Sequence, residues 1–323
     1  MSEVIKTERI NNSVTSKSKL WMFLRKKKNP QKGSLVYRLM VYILLFGVAY
    51  VFIFPFLYMI VTSLKSPVDL ADFTINWVPS TLHWTNYKLA AEVLDYPIHF
   101  RNSILITAFS VFGHIVSCSF IGYGFARYQF PGKKILFGLV ILSIIVPIQT
   151  LIVPMYIMYS NLEWVDSFLP LILPTFFGFG LRGGLYIFIF RQFFLGLPRE
   201  LEEAAKIDGC NFFRIFWNIV LPISRPAILV SAVLGMVWHW NDYFEPSIYL
   251  HSQNMLPLPS VLPSLYEMFE MIENEAELLE EILQFNDAVI MASTFLVVLP
   301  VLIIYSVLQR YFVQGVERTG LVG

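Results

Sequence analysis

Apolar runs of membrane-span length alternate along the chain with shorter polar segments. Leu39 to Leu64 carries no charge, Ser103 to Ala126 has no charged residue except His114, Ile135 to Tyr159 has none, Phe168 to Phe190 has Arg182 alone, and Ala288 to Gln309 is again clean. A hydrocarbon core of about 30 Å takes about 20 mostly apolar residues in helical form, so each run reads as a span. A sixth, Pro226 to Trp240, is short and continues into Asn241-Asp242. Lipid offers no partner to open backbone groups, which makes the runs helical, and their continuity excludes the alternation of a membrane barrel. The pattern predicts an all-α polytopic membrane protein with six transmembrane helices, at about 39–64, 103–126, 135–159, 168–190, 226–245 and 288–309. Pro55, Pro147, Pro154, Pro174 and Pro300 lie inside these runs and predict kinks.

Composition agrees, with 56% of the 323 residues hydrophobic and 15% charged, against roughly 45–50% and 25% in soluble chains. The balance of 24 Lys and Arg against 23 Asp and Glu excludes the uniformly basic make-up of a nucleic-acid binder. Placement says more than the total. Twenty of the 24 cations fall in residues 1–38, 127–134, 191–225 and the C-terminal tail, leaving Lys65, Lys88, Arg101 and Arg182. The positive-inside rule then places both termini in the cytoplasm. Residues 1–35, with Arg25-Lys26-Lys27-Lys28, read as a basic, disordered cytoplasmic tail and residues 36–323 as the membrane domain. That tail is far longer than a signal n-region, and the first run is long enough to stay as a span. Cys118 lies in a span and Cys210 in a cytoplasmic loop, which implies no disulfide framework.

Catalytic, cofactor and metal motifs are missing. Gly132-Lys133-Lys134 lacks the upstream glycine and the hydroxyl of a phosphate loop, and the G-x-G-x-x-G match at residues 178–183 sits in an apolar run without a βαβ context. Gly180 and Gly184 read better as a G-x-x-x-G face for close helix packing. His83, His99, His114, His239 and His251 are scattered without metal-ligand spacing, His114 reading as a packed polar residue of the bundle. The chain therefore draws its energy from elsewhere.

The segment 198–222 is the informative one. Pro198 suits a first helical position, and Glu200, Glu202 and Glu203 put negative charge at a helix N-terminus. Asp208-Gly209 breaks that helix, and a second short helix carrying Phe212, Phe213, Ile215, Phe216 and Trp217 runs until Pro222 interrupts it.

The segment resembles the E-A-A-x3-G-x9-I-x-L-P signature of the membrane subunits of bacterial ATP-binding cassette importers, with Glu203, Ala204, Ala205, Gly209, Ile219, Leu221 and Pro222 in place. Asn102-Ser103, Ala126-Arg127-Tyr128 before Phe130-Pro131-Gly132-Lys133, Trp240-Asn241-Asp242 and the ending from Gln309 to Gly323 are similar to carbohydrate-uptake permeases, the smaller maltose-type subunits above all. The resemblance covers about residues 36–323. It implies the type I importer permease fold in a bacterial plasma membrane, paired with a sister permease, two cytoplasmic ATP-binding subunits and an extracellular solute-binding lipoprotein that delivers sugar. ATP and magnesium are then used by the partners, with no cofactor on this chain. It also implies that the loop docks in a groove of the ATPase: Ala204 and Ala205 allow close approach, Glu203 offers a charge-assisted contact and Gly209 sets the bend.

For the sugar path the residues leave alternatives open. Arg182, costly in lipid, either faces a watery cavity or pairs with Asp242 or Glu245 to hold the bundle. Trp240, Asn241 and Asp242, within the aromatic run 238–243, suit either a sugar site or an interfacial belt. The acidic segment 262–285, with Glu267, Glu270, Glu273, Glu275, Glu277, Glu280 and Glu281, reads as an extracellular amphipathic helix, solvated or contacting the binding protein. A different small solute on the same scaffold is the nearest rival function. A secondary transporter leaves residues 198–222 unexplained.

Overall fold

The structure is a computed structural model that describes residues 35–320 apart from 73, 75–76, 181 and 275–285. The basic tail and the stretch carrying Glu275, Glu277, Glu280 and Glu281 lie outside the described residues, as do the side chains of 268–274 and 310–320. Among the described residues all regular structure is helical. In order the main elements are α1 (Leu35–Ser63), α2 (Thr85–Val93), α3 (Tyr96–Arg127), α4 (Lys133–Ile145), α5 (Ile152–Asn161), α6 (Gly183–Leu195), α7 (Glu200–Ile207), α8 (Phe212–Ile215), α9 (Arg225–Trp240), α10 (Phe244–Tyr249), α11 (Leu258–Asn274) and α12 (Asp287–Gly320).

The chain forms two compact units, residues up to Leu57 and residues from Tyr58 onward. The described part of the first is residues 35–57 of α1, a mostly apolar stretch whose side chains are all exposed.

Three of the expected spans are helices long and apolar enough to cross a bilayer unbroken: α1, α3 and residues 287–309 of α12. The other three are interrupted, each for a local reason. The run 135–159 stops at Ile145, because Pro147 offers no N–H and holds Val146 extended at φ −67°, ψ 121°. The run 168–190 is not one helix: after short turns at Leu169–Ile172 and Leu173–Phe177 the backbone turns left-handed at Gly178, Gly180 and Arg182 (φ 71°, 101° and 62°), and α6 starts at Gly183. Gly180 thus lies off the helix and shares no G-x-x-x-G face with Gly184. Gly184 alone permits close approach, since a Cβ there would press on Ser143 Oγ and come within 2.8 Å of the Val140 carbonyl oxygen on α4.

The run 226–245 ends early. Asn241 Nδ2 donates to the Val237 carbonyl at 2.7 Å and closes α9, while Asp242 Oδ1 accepts from the amides of Phe244 (3.1 Å) and Glu245 (3.4 Å) and opens α10.

At 32 residues, α3 is the organising helix, packed on α6 and α9. Cys118, Tyr123, Phe190, Phe194 and Phe216 form one core along it, and Leu94, Trp240, Leu258, Val289 and Ala292 form another. Its N-terminal part is tied by polar contacts: His99 Nδ1 donates to the Leu256 carbonyl (2.7 Å), Asn102 Nδ2 to that of Asn254 (2.8 Å), and Ser103 Oγ accepts from the Leu258 amide (2.8 Å).

Candidate functional site

The loop 198–222 sits against the far end of α3. Its first helix starts two residues after Pro198, with Arg199 as the cap, so Pro198 lies ahead of the first helical position. Residues three apart share a face of α7. Glu202 and Ala205 face inward at 7% and 5% exposure, whereas Glu203 and Ala204 are exposed. Inside, Arg127 Nε meets Glu202 Oε1 at 2.6 Å, Tyr123 Oη donates to Glu202 Oε2 at 3.0 Å, and an Arg127 terminal nitrogen donates to the Leu197 carbonyl at 2.8 Å. The two charged side chains are 6% and 10% exposed. Further hydrogen bonds, from Tyr123 to the carboxylate and from the guanidinium to Leu197, help offset the desolvation of such a pair.

The second half of the loop is anchored by aromatic rings. Phe212 stacks on Tyr123 (centroids 5.6 Å apart), and Phe216 packs on Phe120 (5.3 Å) and Tyr123 (5.4 Å). Asn211 Oδ1 caps α8 by accepting from the Arg214 amide at 2.9 Å. Between the halves, Gly209 takes φ +79° with open space where a Cβ would stand, so backbone conformation and not crowding demands glycine.

Pro222 does not end this helix. A π turn at Phe216–Val220 leads into Leu221–Ile223, so Pro222 follows a widened turn within a continuous helical run, and the bend of 74° into α9 comes at Ser224. Ile219 and Leu221 are half-buried and Pro222 is exposed. The outer surface of the loop is apolar to an unusual degree: Ile207 is 87% exposed and Phe213 60%, with Leu201 and Trp217 also open.

Arg182 lies in the break before α6, and its side chain makes no ion pair with Asp242 or Glu245. Its guanidinium stacks on Trp238 instead, with Cζ 4.7 Å from the ring centroid. It lines a cavity of about 530 Å³ together with Ser143, Gln149 and Gly184. Trp240 is elsewhere, fully buried, its Nε1 donating to the Val297 carbonyl at 3.1 Å, and Asn241 and Asp242 serve as the caps described above.

Two features escaped sequence reasoning. Arg127 lay in a noted motif, but nothing linked it to an acid 75 residues away. The histidines that looked scattered include a pair, His114 and His239, with ring centroids 5.4 Å apart and the Tyr186 ring tilted against His114 at 4.7 Å. Among the described residues no group of three His, Cys, Asp or Glu side chains is arranged to hold a metal ion.

Residues 118–318 match the family described as binding-protein-dependent transport system inner membrane component. The arabinooligosaccharides transport system permease protein AraQ of Halalkalibacterium halodurans is 30% identical over 279 residues, 85% of this chain and 93% of its own. The probable starch degradation products transport system permease protein AmyC of Thermoanaerobacterium thermosulfurigenes is 29% identical over 262 residues, 81% of this chain and 89% of its own. A crystal structure of a bacterial ABC transporter involved in the import of the acidic polysaccharide alginate has the same fold, with a TM-score of 0.73 at 19% identity over 88% of this chain and 100% of that one. The matched segment takes in the C-terminal end of α3, the loop 198–222 and nearly all of α12, and the chain belongs to the family of binding-protein-dependent transport system inner membrane components.

Proposed function

We propose that the chain is one membrane-spanning half of an ATP-driven, binding-protein-dependent importer of sugars, either mono- or oligosaccharides. Relatives named for arabinooligosaccharides and starch degradation products support the cargo. The chain crosses the membrane six times with both termini in the cytoplasm, three of the crossings being bent. It pairs with a sister permease, rests on two ATP-binding subunits that use ATP and magnesium, and takes sugar from an extracellular solute-binding lipoprotein.

The observation that carries this reading is the two-faced α7. Glu202 and Ala205 are fixed to the chain's own core, which leaves Glu203, Ala204 and Ile207 presented to a partner. Closure of the ATPases on ATP pulls the loop, and the loop moves α3 through the Arg127–Glu202 pair and the Phe212–Tyr123 stack. Sugar passes by the cavity at Arg182, where the guanidinium and Gln149 offer donors to hydroxyl groups. Asn241 and Asp242 contribute by ending α9, and Trp240 by packing behind it.

The test is uptake of labelled sugar by cells carrying Glu203→Ala with Gly209→Val. Uptake is expected to vanish while the amount of chain in the membrane stays normal. Undiminished uptake overturns the role given to the loop.

A further inference from the structure

A second site lies at the start of α4, beside the N-terminal end of the loop 198–222. A groove of about 700 Å³ is lined there by Phe130, Lys133, Lys134, Ile135, Phe137 and Arg191. Its cations are not neutralised: among the described residues none of Lys133, Lys134, Arg191 and the nearby Arg199 makes an ion pair with a carboxylate. Arg191 lies over the Phe137 ring, with Cζ 4.0 Å from the centroid, and its Nε–H is buried without an acceptor. Lys133 Nζ donates to the Tyr128 carbonyl at 2.7 Å. Burial first, then the charges of Arg191 and Arg199, hold the Lys133 ammonium below the ordinary lysine value. The first turn of α4 has neither a side-chain cap nor an acid, so the positive end of its dipole is not offset there.

The groove continues into an apolar track. On α4, which buries none of its residues, Ile135 and Leu139 stand one turn apart and are 73% and 56% exposed. A cationic hollow at the mouth of a lipid-facing stripe matches a molecule with a phosphate at one end and hydrocarbon at the other. We propose that this groove binds the headgroup phosphate of an anionic phospholipid, its acyl chain lying along Ile135 and Leu139. The orientation proposed above enters only in assigning the lipid to the cytoplasmic leaflet.

The experiment is native mass spectrometry of the complete detergent-purified transporter titrated with phosphatidylglycerol or with phosphatidylcholine of the same chain length. Wild type is expected to retain phosphatidylglycerol preferentially, and Lys134→Gln, a change at an exposed side chain, to lose roughly five-fold in that preference. The triple variant Lys133→Gln, Lys134→Gln, Arg191→Gln is expected to lose on the order of 100-fold. Equal retention of the two lipids by wild type, or an unchanged preference in folded Lys134→Gln, overturns the proposal. Displacement by millimolar inorganic phosphate also overturns it, by assigning the groove to a soluble anion. Because lipid retention is measured without transport, sugar uptake by a protein with no lipid preference removes this site alone.

Discussion

Removing one member of the Arg127–Glu202 pair is expected to destabilise the chain far more than replacing both. In Glu202→Ala the guanidinium keeps its bond to the Leu197 carbonyl but loses its counter-ion at 2.6 Å, and Tyr123 Oη loses its acceptor at 3.0 Å. With the charged side chains 6% and 10% exposed, solvent cannot take over, and breaking a buried pair in this way costs about 3–5 kcal/mol. Replacing both partners with apolar groups, Arg127→Met with Glu202→Leu, removes the orphaned charge and is expected to restore most of that stability. A thiol-reactive dye reads this directly, because Cys118 is fully buried. In a Cys210→Ser background its labelling temperature reports unfolding. At about 2–4 °C per kcal/mol for a domain of 150–250 residues, the single variant is expected to melt roughly 6–20 °C lower and the double variant close to wild type. A single-variant loss of under about 2 °C puts the pair in the surface class, worth about 0–1 kcal/mol, and refutes its part in fixing the loop.

Two further outcomes follow from local geometry. Asp166 joins two loops by accepting from the Ser252 hydroxyl (2.5 Å) and from the amides of Ser252 (2.8 Å) and His251 (2.9 Å), and these bonds, the hydroxyl first, hold its carboxyl below the usual aspartate value. A depressed folded pKa gives stability that is complete above the unfolded value of about 3.9 and is lost as pH falls through the folded one. The melting difference between wild type and Asp166→Asn, followed by tryptophan fluorescence, should therefore be constant above about pH 5 and shrink below about pH 4. A difference that grows on acidification contradicts the assignment. Gly184→Val forces Cβ onto Ser143 Oγ and the Val140 carbonyl and is expected to cost about 1–3 kcal/mol by overpacking. An unchanged dye-labelling temperature would show that α4 and α6 are not tightly apposed.

Hydrophobic length along the chain locates the bundle but not the places where a span is broken. Pro147 and the glycines at 178 and 180 announce irregular backbone, yet kink and full interruption share the same residues. The difference lies in tertiary contacts, such as that of Ile121 against Gly178, where an added Cβ would stand 2.6 Å from the isoleucine Cδ1. At the loop, motif spacing singles out Glu203 and Gly209. It cannot separate Glu203 from Glu202, since adjacent acids differ only in which way the helix turns them. Registering α7 on Ala205, three residues on from Glu202, is the one local sign that both face inward. Arg182 illustrates the converse: its position in an apolar run marks it as unusual, while its stacking on Trp238 depends on a break that hydropathy does not report.

The length of α3 sets the scale of the motion it can transmit. Its 32 residues extend about 48 Å at 1.5 Å per residue, and it is gripped near both ends, by Glu202 at one and by the Leu256 and Asn254 carbonyls at the other. A rigid helix of this length turning about its midpoint would have arms of about 24 Å. A rocking of about 10° displaces each end by roughly 4 Å in opposite directions. Under the proposed coupling, a shift of less than one helical turn at the loop 198–222 would be carried to the other end of such a rigid α3 with its direction reversed.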